Sequence, residues 1–235
     1  MPNYFEFEVS LCRVEPKVWR RFLLSTKVVF YELHEAIQDA CGWWNCHLFV
    51  FRKLSGEMAD YLTTEENVLA GMPSDEDYEI LGRRMPNAMR LKLTSFFGEG
   101  KSHACLYEYD IGDSWLHKVD LIREIMLPES FRRRLLSGER AFPHEDCGGM
   151  EGYQRHVEFV KTGKHPSGED PKELLEWLGG WEPERFDLEG TKKYFDVGHH
   201  VPIPGETTKA ELDELARLLD TEPGGKTRRR RKKPF

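Results

Sequence analysis

The sequence lacks the long apolar run that a membrane-spanning helix needs. No stretch of its 235 residues approaches about 18 consecutive apolar residues. The first eight residues, Met-Pro-Asn-Tyr-Phe-Glu-Phe-Glu, contain no basic segment followed by an apolar one, so we expect no signal peptide. The five cysteines are odd in number, and no two form a C-x-x-C pair. These absences predict a reduced, soluble, cytoplasmic protein without membrane contact.

Catalytic fingerprints are also missing. The chain has no Gly-x-Ser-x-Gly nucleophile turn, no phosphate-binding loop and no dinucleotide-binding glycine pattern. We therefore expect no cofactor. Catalysis could still come from a pair of Cys147 and His117, or from the acids Asp110 and Asp113. An enzyme is thus an alternative hypothesis and not the leading one.

Negative and positive charges are unevenly distributed along the chain. The net charge is −7, but the last ten residues, 226–235, carry seven basic groups and no acid. The remainder has 27 basic and 41 acidic residues, which is a charge of −14. An acidic body with a basic tail is unlike a folded domain that wraps DNA. The apolar content of 39% is enough for a buried core.

The first half of the chain has the patterns of a sheet with one helix. Apolar and polar residues alternate over 4–11, and a second strand at 18–25 completes a hairpin. The apolar stripe over 33–41 predicts an amphipathic helix that ends at Gly42. A short strand is predicted at 48–51, directly after an aromatic corner.

Residues 107–119 are the stretch around which the chain is organised. They predict a central hairpin with strands at 105–111 and 115–125, joined by a turn at Gly112-Asp113. Two further strands are predicted at 78–81 and 89–97. Residues 131–136 are interpreted as a short basic turn or helix.

Helical patterns follow in the second half. The predicted helices are 153–162, 171–178, 188–195 and 208–219. The predicted fold class is α+β, a mostly antiparallel sheet with a packed helix, followed by a helical second half. The predicted organisation is one α+β domain over 1–200, a linker and short helix over 201–225, and a basic disordered tail over 226–235.

Several motifs together are similar to those of one family. They are Val-Trp-Arg-Arg (18–21), Leu-His-Glu-Ala-Ile-Gln (33–38), Gly-Trp (42–43), His-Leu (47–48), Tyr-Glu-Tyr-Asp-Ile-Gly-Asp-Ser-Trp-Leu-His (107–117), Gly-Glu-Arg-Ala (138–141), Glu-Asp-Cys-Gly-Gly (145–149), Gly-Tyr (152–153), Glu-Trp-Leu-Gly-Gly (176–180) and Phe-Asp (186–187). In this order, over about residues 4–195, they resemble the plasmid pRiA4b open-reading-frame-three-like family. The resemblance implies an α+β domain and no particular reaction.

Some relatives carry an insertion-element passenger or resolvase-type (TnpR) label, so the resemblance also implies an association with mobile elements. A resolvase-type recombinase needs a nucleophilic Ser or Tyr set among several arginines. In this chain Arg20-Arg21 and the arginines at 132–134 lie far apart, with no serine motif beside them. The motif for that reaction is therefore absent.

One departure from the family concerns metal binding. Relatives commonly have three cysteines in this region, whereas Leu135 and Phe142 occupy two of those positions here and only Cys147 remains. Cys147 follows His144, Glu145 and Asp146 directly. Consecutive residues cannot all face one ion, and tetrahedral zinc prefers ligands from two separated pairs. The sequence therefore predicts no metal site.

A binding surface is the preferred interpretation of the aromatic and polar residues. The alternatives are that about half of the aromatic residues are core, Trp43 and Trp115 first, and that Asp113 only caps a turn. For Trp19-Arg20-Arg21 the simpler interpretation is an edge strand with solvated arginines. The candidate binding residues are Trp19, Arg20, Arg21, Trp44, His47, Tyr107, Tyr109, Asp110, Asp113, His117 and Asp146.

The basic tail is the strongest electrostatic feature. It is interpreted as a phosphate-binding arm, with a solubilising end as the alternative. Its residues are Arg228, Arg229, Arg230, Arg231, Lys232 and Lys233. We therefore expect a non-enzymatic binding or accessory module, with nucleic acid or a protein as partner and an oligomeric state that the sequence does not define. The alternatives are a hydrolase-like enzyme with an acid/histidine site on the central hairpin, and a structural protein-interaction module.

Overall fold

An antiparallel sheet of seven strands forms the centre of the protein. The computed structural model describes residues 1–54, 67–73, 85–164 and 170–197, all within a unit that spans 1–200. The strands are β1 (Asn3–Leu11), β2 (Trp19–Ser25), β3 (Phe49–Lys53), β4 (Val68–Gly71), β5 (Ala104–Tyr109), β6 (Trp115–Met126) and β7 (Arg133–Glu139). The helices are α1 (Phe30–Cys41), α2 (Gly149–Thr162), α3 (Pro171–Leu178) and α4 (Leu188–Phe195). The α+β class predicted from the sequence is confirmed.

Two hairpins lie side by side in the middle of the sheet. The strand order is β4-β3-β5-β6-β1-β2-β7, and all neighbouring strands run antiparallel. The predicted N-terminal hairpin is β1–β2 and the predicted central hairpin is β5–β6. They join through the pairing of β1 with β6, in which Phe7 lies opposite Leu121. The central stretch is thus placed next to the first strand of the chain.

The core lies on the face of the sheet that α1 covers. Phe5, Phe7 and Val9 of β1 point into it because alternate side chains of a strand share a face. From the helix, Leu33 and Ile37 pack against them with no exposed surface. The helix ends at Gly42, as predicted, where φ is +79°. This left-handed backbone is the reason a glycine stands there.

The opposite face of the sheet is covered by ion pairs. Glu6 pairs with Arg123 and Glu8 with Arg21, with nitrogen–oxygen distances of 2.6 Å in both pairs. Burial opposes ionisation of Glu8, but its bonds to Lys17 and Arg21 outweigh that effect and lower its pKa. The carboxylates of this face are therefore held by basic side chains that lie over the sheet.

Two predicted elements are wrong. Residues 89–97 are not a strand but a turn followed by a 3-10 helix, Leu93–Ser95, and their apolar residues reach the core from there. Residues 131–136 are not a turn or helix, because they run into strand β7. The open edge of β2 offers hydrogen bonds to this segment, with Phe22 opposite Leu135, and that pairing overrides its local preference. The second half is therefore not wholly helical.

The helices predicted at 153–162, 171–178 and 188–195 correspond to α2, α3 and α4. None of the helices in the described ranges is long and apolar enough to cross a bilayer. The strand predicted at 78–81, the linker and helix within 201–225 and the tail at 226–235 lie outside the described residues.

Candidate functional site

The segment between α1 and β3 is fixed at the end of the sheet by its first tryptophan. Trp43 is 4% exposed, and its ring stacks on Tyr109 with the ring centres 5.1 Å apart. The indole Nε1 donates a hydrogen bond of 2.8 Å to the carbonyl oxygen of Pro143. This bond ties the segment to the loop that precedes α2. We call residues 43–48, the β5–β6 turn and the loop 143–147 together the corner.

A buried hydrogen-bond network holds the next residues of the corner. His34 Nε2 lies 2.6 Å from Asn45 Oδ1, and His34 Nδ1 lies 2.8 Å from the Tyr107 hydroxyl. Gln38 Nε2 donates to the same hydroxyl at 2.8 Å. These bonds are all satisfied when His34 carries its proton on Nε2 and the Tyr107 hydroxyl donates to Nδ1. The network therefore fixes the backbone turn at Asn45, where φ is +58°.

The Tyr109 hydroxyl connects both parts of the corner. It accepts hydrogen bonds from the backbone amides of Cys46 and His47, at 2.9 and 3.3 Å. It donates one to Glu145 Oε1 at 2.5 Å. Burial, and then the bond to Glu145, raise the pKa of Tyr109, so the hydroxyl stays protonated and keeps donating. Trp44 supplies a second anchor, because its backbone N–H donates to Glu145 Oε2 at 2.5 Å.

Sulfur, nitrogen and oxygen donor atoms converge on this scaffold. Cys46 Sγ lies 3.6 Å from Glu145 Oε1. His47 Nε2 lies 3.0 Å from Asp146 Oδ1 and 3.7 Å from Asp110 Oδ2. Two overlapping sets of three, Cys46–His47–Glu145 and His47–Asp110–Asp146, each have their donor atoms within 4.8 Å of one another. The corner thus has the ligand types that bind divalent metal ions.

Burial and a neighbouring carboxylate both raise the pKa of the Cys46 thiol. Partial burial raises the pKa of its thiol, and the negative charge of Glu145 raises it further. Cys46 is accordingly a neutral thiol when no cation is near. A metal ion at the corner would reverse this, because it stabilises the thiolate.

Apolar side chains border the donor set. Trp44 is 60% exposed, Leu48 66% and Ile111 54%. The backbone N–H of Asp110 donates to the carbonyl oxygen of Leu48 at 2.9 Å, which brings the β5–β6 turn next to the start of β3. Exposed apolar groups around a polar centre are typical of a contact surface. The aromatic residues are therefore not wholly buried, whereas complete burial would have favoured a purely structural module.

The structure brings together five of the eleven candidates from the sequence: Trp44, His47, Tyr109, Asp110 and Asp146. Asp113 lies close by but has another contact, because its Oδ2 accepts a 2.8 Å hydrogen bond from the amide of Gly149 at the start of α2. Asp110 also caps the turn, since its Oδ1 accepts from the amide of Gly112 at 3.0 Å. Only the other carboxylate oxygen of Asp110 is directed to His47.

His117 lies inside the core, away from the corner. Its ring is enclosed by Trp43, Tyr107 and Phe142, with ring centres 5.2, 5.4 and 5.8 Å away, and it has no exposed surface. Burial lowers the pKa of His117 to about 4, so the imidazole is neutral at neutral pH. Tyr107 is fully buried as well. The acid/histidine pair envisaged for the central hairpin is thus split between the core and the turn.

The three N-terminal candidates lie on β2 and have contacts of their own. Arg20 is 3% exposed, its guanidinium lies 3.5 Å from the ring centre of Phe186, and it donates to the carbonyl oxygen of Ala40 at 2.9 Å. Arg21 pairs with Glu8, and half-buried Trp19 donates to Glu139 at 3.2 Å. Arg20 therefore stabilises the fold from within, and these residues do not join the corner.

Sequence reasoning missed Cys46 and Glu145 as members of the site. It considered Glu145 only together with its neighbours in the 144–147 loop. Each residue stands directly beside a candidate that was named, His47 and Asp146. Nothing in a single sequence indicates that these two segments meet, because they come together only in the folded chain, where Trp43 bonds to Pro143.

The fold and the corner define an α+β protein with a mixed sulfur, nitrogen and oxygen donor site at one end of an antiparallel sheet. The chain belongs to the plasmid pRiA4b ORF-3-like protein family, whose sequence profile matches residues 3–190. It is 33% identical over 172 residues to a Sinorhizobium fredii protein described as uncharacterized protein y4hQ, covering 73% of this chain and 79% of the relative.

A crystal structure is also similar. It is that of MM3350 from Methanosarcina mazei Go1, described as a protein of unknown function. The TM-score is 0.64 at 25% identity, and the match covers 81% of this chain and 98% of that one. The sheet-and-helix architecture therefore occurs in an archaeal protein too.

Proposed function

We propose that the protein is a non-enzymatic binding module that holds one divalent transition-metal ion at the corner, and that Zn²⁺ suits the donors best. The observation that carries the proposal is the convergence of Cys46, His47 and Glu145, with Asp146 and Asp110 beside His47. The donors of the first set come from two segments that are far apart in the sequence, Cys46–His47 and Glu145, whereas the 144–147 loop alone is a single contiguous segment. Three protein ligands leave the fourth tetrahedral position open.

The distances support zinc as the ion. Zinc bonds of about 2.0–2.3 Å at tetrahedral angles place neighbouring ligand atoms about 3.5 Å apart. In the first set, the separation of 3.6 Å between Cys46 Sγ and Glu145 Oε1 matches that value. In the second set, His47 Nε2 lies 3.0 Å from Asp146 and 3.7 Å from Asp110, on either side of it. Thiolate and imidazole ligands select zinc over calcium or magnesium, which prefer oxygen alone. The expectation of no metal was argued for the Cys147 loop, and the corner is a different donor set.

The outer contacts of the site support a preformed geometry. Glu145 is held by the Tyr109 hydroxyl and by the amide of Trp44. Cys46 and His47 are held through their backbone amides by the same hydroxyl. Hydrogen bonds of this kind orient ligands and typically change metal affinity by about 10–100-fold when they are removed.

A metal titration tests the proposal. Protein stripped with a chelator is expected to bind one Zn²⁺ per chain by calorimetry, with release of a proton from Cys46 that shows as a dependence of the heat on the buffer. The variants C46S, H47A and E145Q should each weaken binding by about 10-fold or more. H103A, which removes an exposed histidine outside the corner, is the matched control.

Cobalt gives a second readout that depends on the sulfur. Co²⁺ in place of zinc should produce a thiolate-to-metal charge-transfer band, and C46S should lose it while H103A keeps it. If H47A and H103A bound zinc equally well, the corner would not be the site. If C46S kept full affinity and D146N lost it, the ion would lie in the His47–Asp110–Asp146 set instead.

The non-enzymatic part of the proposal has a separate test. It is supported by the burial of His117 and by the bond from Asp113 to α2, which leave the hairpin without an accessible acid/histidine pair. Zinc-loaded protein is expected not to hydrolyse activated phosphate or carboxylic esters above the rate of free zinc. If the zinc-loaded protein hydrolysed such an ester and the H47A variant did not, the protein would be an enzyme and not a binding module.

Nucleic-acid binding through the tail is the second candidate function. Seven basic residues among 226–235 favour it, since such an arm binds phosphates without reading bases. The charge of −14 on the rest of the chain should oppose duplex DNA, so any affinity should reside in the tail. We propose this contact as an addition to metal binding and not as its consequence.

A salt titration tests the tail. If all seven basic residues met phosphates, the logarithm of affinity would fall against the logarithm of salt with a slope of about −6, and fewer contacts would give a shallower line. Deleting 226–235 should abolish binding of a fluorescent duplex and leave the melting temperature nearly unchanged. Equal, sequence-selective binding by intact and truncated protein would move the nucleic-acid site to the folded body.

A further inference from the structure

A small cavity lies between the end of α1, the loop after β7 and the segment that leads into α4. Its volume is about 220 Å³, and its lining includes Arg20, Arg185 and Asp187. The proposed metal ligands of the corner do not line it. Sites for drug-sized molecules measure about 300–1,000 Å³, so this volume suits a smaller group. We call it the Arg20 cavity.

Arg20 is a buried cation without a carboxylate partner in the part of the chain that the structure describes. It is 3% exposed. Its Nε donates to the carbonyl oxygen of Ala40 at 2.9 Å, and its Nη1 donates to those of Trp19 and Arg140 at 2.8 Å each. Neutral carbonyl groups hold the side chain in place but do not cancel its charge. A buried charge without a counter-ion is costly and therefore needs an explanation.

The third guanidinium nitrogen of Arg20, Nη2, is the one that a ligand can reach. Among the described residues it has no hydrogen-bond acceptor, whereas Nε and Nη1 have theirs. The atoms that are both fully enclosed and unpartnered belong to His117, Arg140 and Tyr153, and Nη2 is not one of them. Nη2 thus keeps accessible surface. Since Arg20 lines the cavity, the two N–H groups of Nη2 are available there.

Two aromatic rings fix the guanidinium of Arg20. Its central carbon lies 3.5 Å from the ring centre of Phe186 and 4.8 Å from that of Phe142. Burial lowers the pKa of Arg20 to about 10, so the group is still a cation at neutral pH. Because carbonyl groups and rings already hold it, a ligand would meet a preformed donor and would not have to order a flexible side chain.

The charges around the cavity favour an anion with more than one negative charge. Arg185 is a second, exposed arginine of the lining, and it has no ion pair with any described residue. Asp187 is the one acid among the described lining residues, and its Oδ1 accepts a 3.0 Å hydrogen bond from the amide of Gly190. The two arginines therefore exceed the acids by one charge, in a chain that carries −14 outside its tail. Arginine pairs well with phosphate oxygens.

We infer that the Arg20 cavity binds a phosphate group, whose oxygens accept hydrogen bonds from Arg20 Nη2 and pair with Arg185. The group is either a free phosphate ion or the end of a small phosphate ester, which offer the same oxygens. The site is separate from the metal at the corner and from the basic tail. Arg20 thus has a binding role in addition to its contacts within the fold.

Calorimetric titration of the full chain with inorganic phosphate tests the inference. R185Q should weaken phosphate binding by about 10-fold, because it removes one charge-assisted contact. R90Q, which alters an exposed arginine outside the cavity, should leave it unchanged. A phosphate ion held by the tail would not respond to R185Q. Equal phosphate affinities of R185Q and R90Q contradict the inference, and so does acetate that binds as tightly as phosphate at the same ionic strength.

NMR tests Arg20 directly and needs no substitution in the core. Phosphate should shift the side-chain N–H signals of Arg20 in the unaltered protein. Arg133 provides the reference, because it is also buried but already pairs with Asp39, so its signals should stay in place. An Arg20 signal that phosphate leaves unchanged overturns the inference.

Phenyl phosphate distinguishes the two sources of the phosphate group. The aromatic wall of the cavity includes Trp181 and Phe186, against which a phenyl ring can pack. Binding that is tighter than that of inorganic phosphate supports an ester as the ligand, and weaker binding supports the free ion. If neither compound binds, the inference is wrong.

Discussion

Two histidines of this chain, His47 and His117, lie in very different environments. His47 lies at the corner, with its side chain 29% exposed and two carboxylates within 4 Å of Nε2. His117 lies in the core with no exposed surface, enclosed by Trp43, Tyr107 and Phe142. The first presents an imidazole nitrogen beside two carboxylates, whereas burial keeps the second neutral. Position at the end of the sheet, and not residue type, separates the two roles.

Tyr109 belongs to both regions and joins them. Its ring stacks on Trp43 in the core, and its hydroxyl holds Cys46, His47 and Glu145 at the corner. The core, which includes Trp43 at the base of the corner, thereby sets the geometry of the donor atoms, while the exposed Trp44 contributes little apolar packing in return. Substitutions in the two regions should therefore have different consequences, large for stability in one and large for binding in the other.

The largest expected effect is the loss of the core tryptophan. Trp115→Ala should lower the free energy of unfolding by about 3–5 kcal/mol, because the side chain is 1% exposed and its removal leaves a cavity. Trp44→Ala, at the 60% exposed tryptophan of the corner, should change it by no more than about 0.5 kcal/mol. Urea denaturation measures both. Equal costs for the two variants would remove the distinction between core and corner.

The pH dependence of stability should follow next in size. The folded pKa of His117 is lowered to about 4, below the usual 6.5, so the unfolded chain takes up the proton more readily between these values. Its contribution is therefore complete above pH 6.5 and is lost as the pH falls toward 4, by about 3 kcal/mol in total. H117F should flatten this part of the profile in urea denaturation from pH 7.5 to 4.

H103F provides the control for removing an imidazole, because His103 is exposed. Carboxylates also titrate between pH 7.5 and 4, so the contribution of His117 is the difference between the pH profiles of stability of the parent and H117F. A parent and an H117F variant with parallel profiles would mean that His117 can become protonated in the folded protein.

A smaller effect than those at Trp115 and His117 is expected at the junction of the two regions. Tyr109→Phe keeps the ring in the core but removes the hydroxyl, so it should cost about 1–2 kcal/mol. The same change should weaken zinc binding by about 10-fold, because Cys46, His47 and Glu145 lose their common partner. Y194F, which alters an exposed tyrosine of α4, is the control. A loss of stability without a change in zinc affinity would place the metal away from the corner.

The sequence was informative where local pattern decides the structure. The alternation of residues 4–11 predicted β1, the strand pattern of 18–25 predicted β2, and Gly42 predicted the end of α1. The ends of the central hairpin strands were predicted to within two residues. It failed at 131–136, where no local pattern indicates that the open edge of β2 would pair with this segment. Long-range pairing of this kind has no counterpart in propensity.

The sequence predicted some members of the candidate site but not how they come together. His47, Tyr109, Asp110 and Asp146 were named because their neighbourhoods were rich in polar and aromatic residues. The association of Cys46 with Glu145 depends on the bond from Trp43 to Pro143, which brings together segments that are about one hundred residues apart. The burial of Arg20, Tyr107 and His117 was equally hidden, since a strand residue's face is fixed only by the sheet around it.

The pairing of β1 with β6 has a consequence for synthesis on the ribosome. Asn3 lies opposite Met126, so the first strand emerges well before its second neighbour exists. At about 5–20 residues per second, the β1–β2 hairpin, complete at Ser25, waits roughly 5–20 s for Met126 while the outer edge of β1 is unpaired. An exposed edge of this kind can pair with another nascent chain. Glu6 lies on β1, and Arg123, which pairs with it at 2.6 Å, has not yet been made at this stage. Its negative charge on that strand disfavours such pairing.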